Sequence, residues 1–202
     1  MTRAALPLLA LAAVLAPLAS AETKSFPAGD FTGINAGGVI DVTFETGPVA
    51  SINVEQEGGD FSDIYIEQSG DTLKIGRNSL REGFGWSRNV SVKTDNGRKV
   101  VKVNGKRVPA YTVRVVAPTL AETSVSNSSS MTATGLDSPT FSGSVSSSSD
   151  LILSGTAGDV DLRASSSADL DASSLETRAL KLDVSSSADA LALVRDGTLD
   201  VD

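Results

Sequence analysis

Apolar and polar residues alternate in short runs along most of this chain. Between residues 31 and 76 the alternation is clear in Ile40-Asp41-Val42-Thr43-Phe44-Glu45 and Ile52-Asn53-Val54-Glu55. It recurs in Ile64-Tyr65-Ile66-Glu67 and Leu73-Lys74-Ile75. A period of two puts every second side chain on one face, so each run predicts a short strand with one buried face, bounded by Gly- and Asp-rich breaks. Residues 77–110 are more polar. Within them residues 89–93 and 99–103 flank Asn96-Gly97, a strong hairpin-turn pair, and Asn104-Gly105 predicts a second turn back into a strand over 111–115. The expectation is a β-hairpin or small meander that protrudes from the body ahead of that strand.

Past Met131 the pattern becomes a repeat. With one-residue slips, every tenth residue is apolar: Met131, Phe141, Leu151, Val160, Leu170, Leu180, Ala190, Leu199. Two places on from each comes Ala133, Gly143, Leu153, Leu162, Ala172, Leu182, Ala192 or Val201, again apolar or Gly. Each unit reads as a strand of about four residues and a turn of about six. A longer period lies on top of this one. The segments VSNSSSM, VSSSSDL, ASSSADL and VSSSADA begin at Val125, Val145, Ala164 and Val184, spaced 20, 19 and 20 residues apart. Self-similarity at a fixed short period is the signature of a solenoid, in which one coil buries little alone and the stack builds a continuous narrow core. The predicted fold is all-β. It is a parallel β-helix or β-solenoid with about 20 residues per coil, preceded by short strands and a protruding basic β-hairpin.

Composition agrees with a thin interior. Aromatic residues make up only 4% of the chain, too few to fill a conventional globular core. The opening MTRAALPLLALAAVLAPLASA has one early cation, Arg3, an apolar run over 4–18 and small residues at Ala19 and Ala21. That layout predicts a secretory signal over 1–21, cut before Glu22, and hence an exported protein, periplasmic or at the cell surface. No later apolar stretch approaches the length of a transmembrane helix. Residues 22–120 then form an N-terminal β region carrying the basic insert over about 77–110, and 121–202 the solenoid repeats, continuous with it.

The chain has no Cys and no His. Thiolate nucleophiles, Cys-ligated metals and Ser-His-Asp chemistry are therefore excluded, and the commonest general base and transition-metal ligand are missing. Charge falls in blocks: net −8 over 22–76, +8 over 77–114 and −9 from 115 onward. Such blocks govern association rather than fold.

The order of segments carries a resemblance. The stretch from Phe31-Thr32-Gly33-Ile34-Asn35 leads into GGVIDVTFETG, a SINVE strand and SGDTLKI. YTVRVVAPTLAETSVSNSSS and the Ser-rich coils follow. Together these resemble the putative auto-transporter adhesin head GIN-domain family over nearly all of residues 31–202. The resemblance implies an exported all-β protein of parallel β-helical character, with adhesion the only activity the family's name suggests. This chain departs from the pattern where its turns read Ser-Ser-Ser in place of alternating Ser and Gly. A positive φ would cost energy at a serine, which leaves the turn geometry open. The basic stretch over 77–107 is a second departure.

Three features are candidate sites. Asp150, Asp169 and Asp189 hold one place in successive coils, each before a strand, with Asp159 similarly placed in another half-coil. They read as turn caps, the alternative being a Ca²⁺-binding carboxylate ladder. No metal or cofactor is assigned. The triple-Ser turns read as structural, with a sugar-meeting polar ladder as the alternative. The insert is the best binding candidate: Arg88, Lys93, Arg98, Lys99, Lys102, Lys106 and Arg107 lie near Trp86 and Tyr111. An anionic surface glycan or lipid headgroup fits it, and export argues against nucleic acid. A solvated hairpin, or one docked on the chain's own acidic coils, is the bland alternative. Catalysis is not expected, because no acid–base pair and no long loop walling off a cleft stand out. The reading is a structural or adhesive module whose partner is a cell-surface polymer or itself. The last strand, over 199–202, is expected to leave its coil open to strand addition.

Overall fold

The computed structural model describes residues 21–81, 89–95, 98–194 and 197–202. The segment read as a signal peptide lies outside these, except Ala21. Six strands open the chain: β1 (Ala21–Phe26), β2 (Gly33–Gly37), β3 (Asp41–Thr46), β4 (Ser51–Glu57), β5 (Ile64–Ser69) and β6 (Thr72–Arg77). A single 3-10 turn, η1 (Asn78–Leu80), follows. The insert holds β7 (Val90–Asp95), β8 (Arg98–Val103) and β9 (Lys106–Val108). Then come β10 (Thr112–Ala117), β11 (Glu122–Ser126), β12 (Ser130–Val145), β13 (Asp150–Ala164), β14 (Asp169–Val184), β15 (Asp189–Ala192) and β16 (Thr198–Val201). Among the described residues there is no α-helix, and the chain is all-β.

Thirteen of the strands share one sheet, which bends round its core and nearly closes on itself like a barrel. Its bends lie within the long strands. Strand β12 pairs in parallel with β3 through Ser130 to Thr134, and with β11 through Ser142 to Val145. Between these stretches the ladder slips once, between Ala133 and Leu136. Gly135 and Gly155 take positive φ at this bend, and a Cβ on Gly155 would sit 2.3 Å from the Leu136 backbone nitrogen. Only glycine fits there. Alternate six-residue turns of the sequence reading are therefore not turns. In β12, β13 and β14 they stay in the ladder, and Ser-rich turns separate these three strands.

Parallel pairing sets equal positions of successive strands side by side. Val113, Val42, Met131, Leu151, Leu170 and Ala190 form one row of partners running across the sheet. Phe141, Val160, Leu180 and Leu199 form another on the opposite wall. The inner residues of both rows belong to one hydrophobic core. Gly143 fits between two large members of that core: a Cβ there would lie 2.8 Å from Leu162 and 3.2 Å from Phe141. A narrow core is thus filled by Leu, Val and Ala without a large aromatic complement.

The two ends of the sheet differ. At the first end, β4 and then β1 add antiparallel to β10, and β5 adds antiparallel to β6. At the other end β15 and β16 pair only with β14 among the described residues. Leu199 and Val201 are 55% and 57% exposed, against 3% and 8% for Leu180 and Leu182 one layer in.

The Ser-rich turns take a strained conformation. Asn127-Ser128, Ser147-Ser148, Ser166-Ser167 and Ser186-Ser187 all have positive φ, as do Gly38-Val39 in the first layer. Serine in place of glycine therefore does not change the geometry to an ordinary one. A hydrogen-bond column holds it instead. The backbone N–H of Val39 donates to Asn127 O (3.0 Å), and those of Ser128, Ser148 and Ser167 donate to Ser147 O, Ser166 O and Ser186 O (3.1 Å each). Buried hydroxyls add to it: Ser129 Oγ accepts from Ile40 N (3.2 Å), and Ser149 Oγ accepts from Ser129 N (3.3 Å). The structural role read for these serines holds at these positions.

Candidate functional site

Strands β7, β8 and β9 form an antiparallel sheet that, among the described residues, has no ladder to the main one. The turn at Asn104-Gly105, both with positive φ, returns the chain into β9 and not directly into residues 111–115, which belong to the main sheet. The Asn96-Gly97 turn lies outside the described residues.

Register sorts the predicted cations. Ser91, Lys102 and Arg107 stand opposite one another across the three strands, and Lys93 stands opposite Val100. Lys93, Lys102 and Arg107 therefore share a face. The other face carries Val90, Val92, Val101, Val103 and Val108, of which Val101 and Val103 are buried. Lys99 and Lys106 lie on that valine side. Lys99 is already engaged: its Nζ meets Asp41 Oδ1 of β3 at 2.5 Å. Lys106 is exposed. Arg98 pairs through its backbone with Asp95, while its side chain, like all of Arg88 and Trp86, lies outside the described residues. Thus three of the seven predicted cations are brought to one exposed face.

Tyr111 does not join them. It is buried, its hydroxyl donates to Asp60 O (3.0 Å), and burial pushes its pKa up. Its ring lies under the guanidinium of Arg77, 4.8 Å from the ring centroid. Arg77, counted in the sequence as the first cation of the insert, is a different kind of residue. It is fully buried. Nε donates to Gly38 O (2.7 Å), Nη2 to Pro109 O (2.6 Å) and Val39 O (3.3 Å), and Nη1 to Asp63 (3.2 Å). Asp63 in turn accepts from Ser79 N and Oγ. One guanidinium fork thereby ties the first left-handed turn, the far end of the insert and the start of β5 together.

The acidic positions are stacked, but not as turn caps. Asp41, Ser130, Asp150, Asp169 and Asp189 are successive register partners. Ser130 Oγ donates to Asp41, and the Asp150 carboxyl is held above its ordinary value, first by burial and then by the charge of Asp169. Neither Asp150, Asp169 nor Asp189 accepts a backbone N–H among the described residues. The Asx-type turns occur instead at Asp60 and Asp171, which accept from Ser62 N and Ser173 N. The reason is direction: a side chain on a parallel ladder points away from the turn whose N–H groups it would cap. No cluster of three or more acids placed to hold a metal occurs among the described residues. Asp159 pairs with Arg178 (2.8 Å), and Arg163 with Asp161 (3.1 Å). No described helix is long and apolar enough to cross a membrane.

Solved structures resemble this chain over most of their length. A putative adhesin from Bacteroides fragilis superposes with a TM-score of 0.53 at 13% identity, over 92% of this chain and 95% of that one. A putative lipid binding protein from Parabacteroides distasonis gives 0.46 at 14% identity, over 90% and 94%. A putative adhesin from Parabacteroides merdae gives 0.44 at 12%, over 90% and 96%. At these identities the likeness concerns the fold alone. No curated protein matches the chain. The segment order from Phe31 onward is that of a family whose profile matches residues 30–201, and the chain belongs to that family, described as putative auto-transporter adhesin, head GIN domain.

Proposed function

We propose that this is an exported, non-enzymatic β-solenoid of about 20 residues per coil that acts as a structural or adhesion-type surface module. The observation that carries the coil reading is register: Met131 pairs with Leu151 and Leu151 with Leu170, 20 and 19 residues on. The N-terminal region over 22–120 and the repeats over 121–202 form one body in this reading, with residues 1–21 removed on export. Flat walls of repeated small polar side chains suit a protein that works by contact. The His-free, Cys-free composition and the paired state of Arg163 and Arg178 give catalysis no support.

A second reading is favoured by the face shared by Lys93, Lys102 and Arg107. These exposed cations suit an anionic glycan or lipid headgroup, with Arg88, Arg98, Lys99 and Lys106 nearby in the chain. One experiment separates the two. The chain is applied to whole cells and to arrayed surface glycans at low and high salt. Binding that weakens steeply with salt and is lost in Lys102→Glu/Arg107→Glu supports the basic face. Salt-insensitive binding unchanged by that variant supports the solenoid walls, and failure to bind either target, with self-association as concentration rises, leaves a structural module alone.

A further inference from the structure

A groove of about 970 Å³ lies on the outer side of β6, β2 and β11, away from the face shared by Lys93, Lys102 and Arg107. Part of its floor is covered by an aromatic ring and part carries no side chain. Gly76 in β6 stands opposite Tyr65 in β5, and the Tyr65 ring lies across it so closely that a Cβ would come within 2.4–2.7 Å. One step beyond the Ala36–Ile75 pair, Gly37 continues the floor, with Ser126 as its partner in β11. Gly37 does not have positive φ, so its backbone has no need of glycine. A Cβ there would lie 3.3 Å from Ser126 Oγ, a close contact that the hydroxyl relieves only by moving a few tenths of an ångström. Glycine inside a strand carries no side chain on either face, so the groove is open above Gly37.

The rim has a definite chemistry. Arg81 stacks on Tyr65, its guanidinium 4.3 Å from the ring centroid, and pairs with Glu67. Lys74 lies directly opposite both Glu67 and Asn35. Two exposed cations thus share one carboxylate, which leaves the rim net positive. Along one side run Asn127, Ser128 and Ser147 of the turn column, and Val90 adds an apolar edge. Amides and hydroxyls both donate and accept, which suits a polyol, and they recur at the strand spacing of about 4.8 Å. We propose that this groove binds a carboxylate-bearing saccharide. Lys74 and Arg81 meet its acid groups, Asn35, Ser126 and Asn127 its hydroxyls, and the strip without a side chain at Gly37 leaves room for a ring beside Tyr65. The inference rests on the reading of the chain as a surface-binding module, and it names the ligand class.

Titration calorimetry with polygalacturonate tests it, with dextran as the neutral polymer and phosphatidylglycerol vesicles as the lipid anion. Lys74→Glu reverses the rim charge; Gly37→Val fills the floor with a residue that strands favour. Each is expected to weaken polygalacturonate binding about tenfold or more with melting unchanged, while Lys102→Glu/Arg107→Glu stays within about twofold. Dextran should be silent. Wild-type affinity in both groove variants, equal binding of dextran, or vesicle binding without polygalacturonate binding would overturn the assignment. Should the wild type bind cells but not polygalacturonate, the groove inference falls and the surface-binding reading stands. Should it bind neither, both fall.

Discussion

One left-handed turn recurs in five layers, and the first layer and the later ones are held in different ways. In the later layers each turn carbonyl accepts the N–H of the layer before: Asn127 O from Val39, Ser147 O from Ser128, and so on to Ser186 O. Gly38 is the register equivalent of Asn127, since Gly37 pairs with Ser126. It has no earlier layer, and Nε of Arg77 donates to its carbonyl instead. The later turns hold one another, whereas the first turn depends on one residue that belongs to no such turn. A stack needs no special residue except where it stops.

Arg77→Met is therefore expected to have the largest effect. It leaves the Gly38, Val39 and Pro109 carbonyls and the Asp63 carboxylate without their partner, a loss of about 3–5 kcal/mol for a broken buried pair. Urea unfolding reads this directly. Arg77→Lys should recover less than half, because an ammonium cannot span the fork. Full recovery by lysine would mean that charge, and not geometry, closes the column.

Layers can also be compared within the repeat. Leu151 is fully buried, and Leu151→Ala should cost about 2–5 kcal/mol. Leu199, in the other row of the last layer and half exposed, should cost under about 1 kcal/mol on the same change. Equal losses would mean that something covers the last layer in solution. Strain gives a smaller effect of opposite sign. Ser148 has φ of 57°, and Ser148→Gly should stabilise by about 1 kcal/mol, net of glycine's added chain entropy. Destabilisation would show that the Ser148 hydroxyl contributes something its backbone position does not reveal.

The apolar columns were legible in the sequence because parallel pairing makes the same demand at equal positions of neighbouring strands, so one apolar residue recurs at one spacing. Met131, Leu151 and Leu170 announce themselves that way. Arg77 could not. Its partners are carbonyls at positions 38, 39 and 109, and backbone groups carry no signature in sequence. Chain proximity misled twice: Tyr111 was grouped with the basic insert, and the second turn was expected to lead straight to its strand. Lys99 stands in sequence among the candidate anion-binding cations, although the acid that holds it, Asp41, lies 58 residues away. The groove was illegible for a similar reason, since Gly37 and Gly76 become neighbours only once β2 and β6 pair in parallel. A glycine within an otherwise alternating strand was the one signal available.

The smallest expected effect concerns Asp150, whose pKa is raised by burial and by Asp169. A carboxyl with a raised folded pKa binds its proton more tightly folded than unfolded. Stability from this group therefore falls as pH rises from the ordinary carboxylate value through the raised one, and is level below the ordinary value. Asp150→Asn removes the charge while keeping the shape, so the variant should be slightly more stable at neutral pH. Its urea midpoint should also vary less with pH across that window than the wild type's. Lys99, held at Asp41, lowers the Asp150 pKa, so Lys99→Met should widen the window upward. Should Asp150→Asn leave the pH profile unchanged, the stacked acids are screened by solvent. The acidic column would then be an ordinary charged surface, unlike the buried fork at Arg77 that closes the turn column.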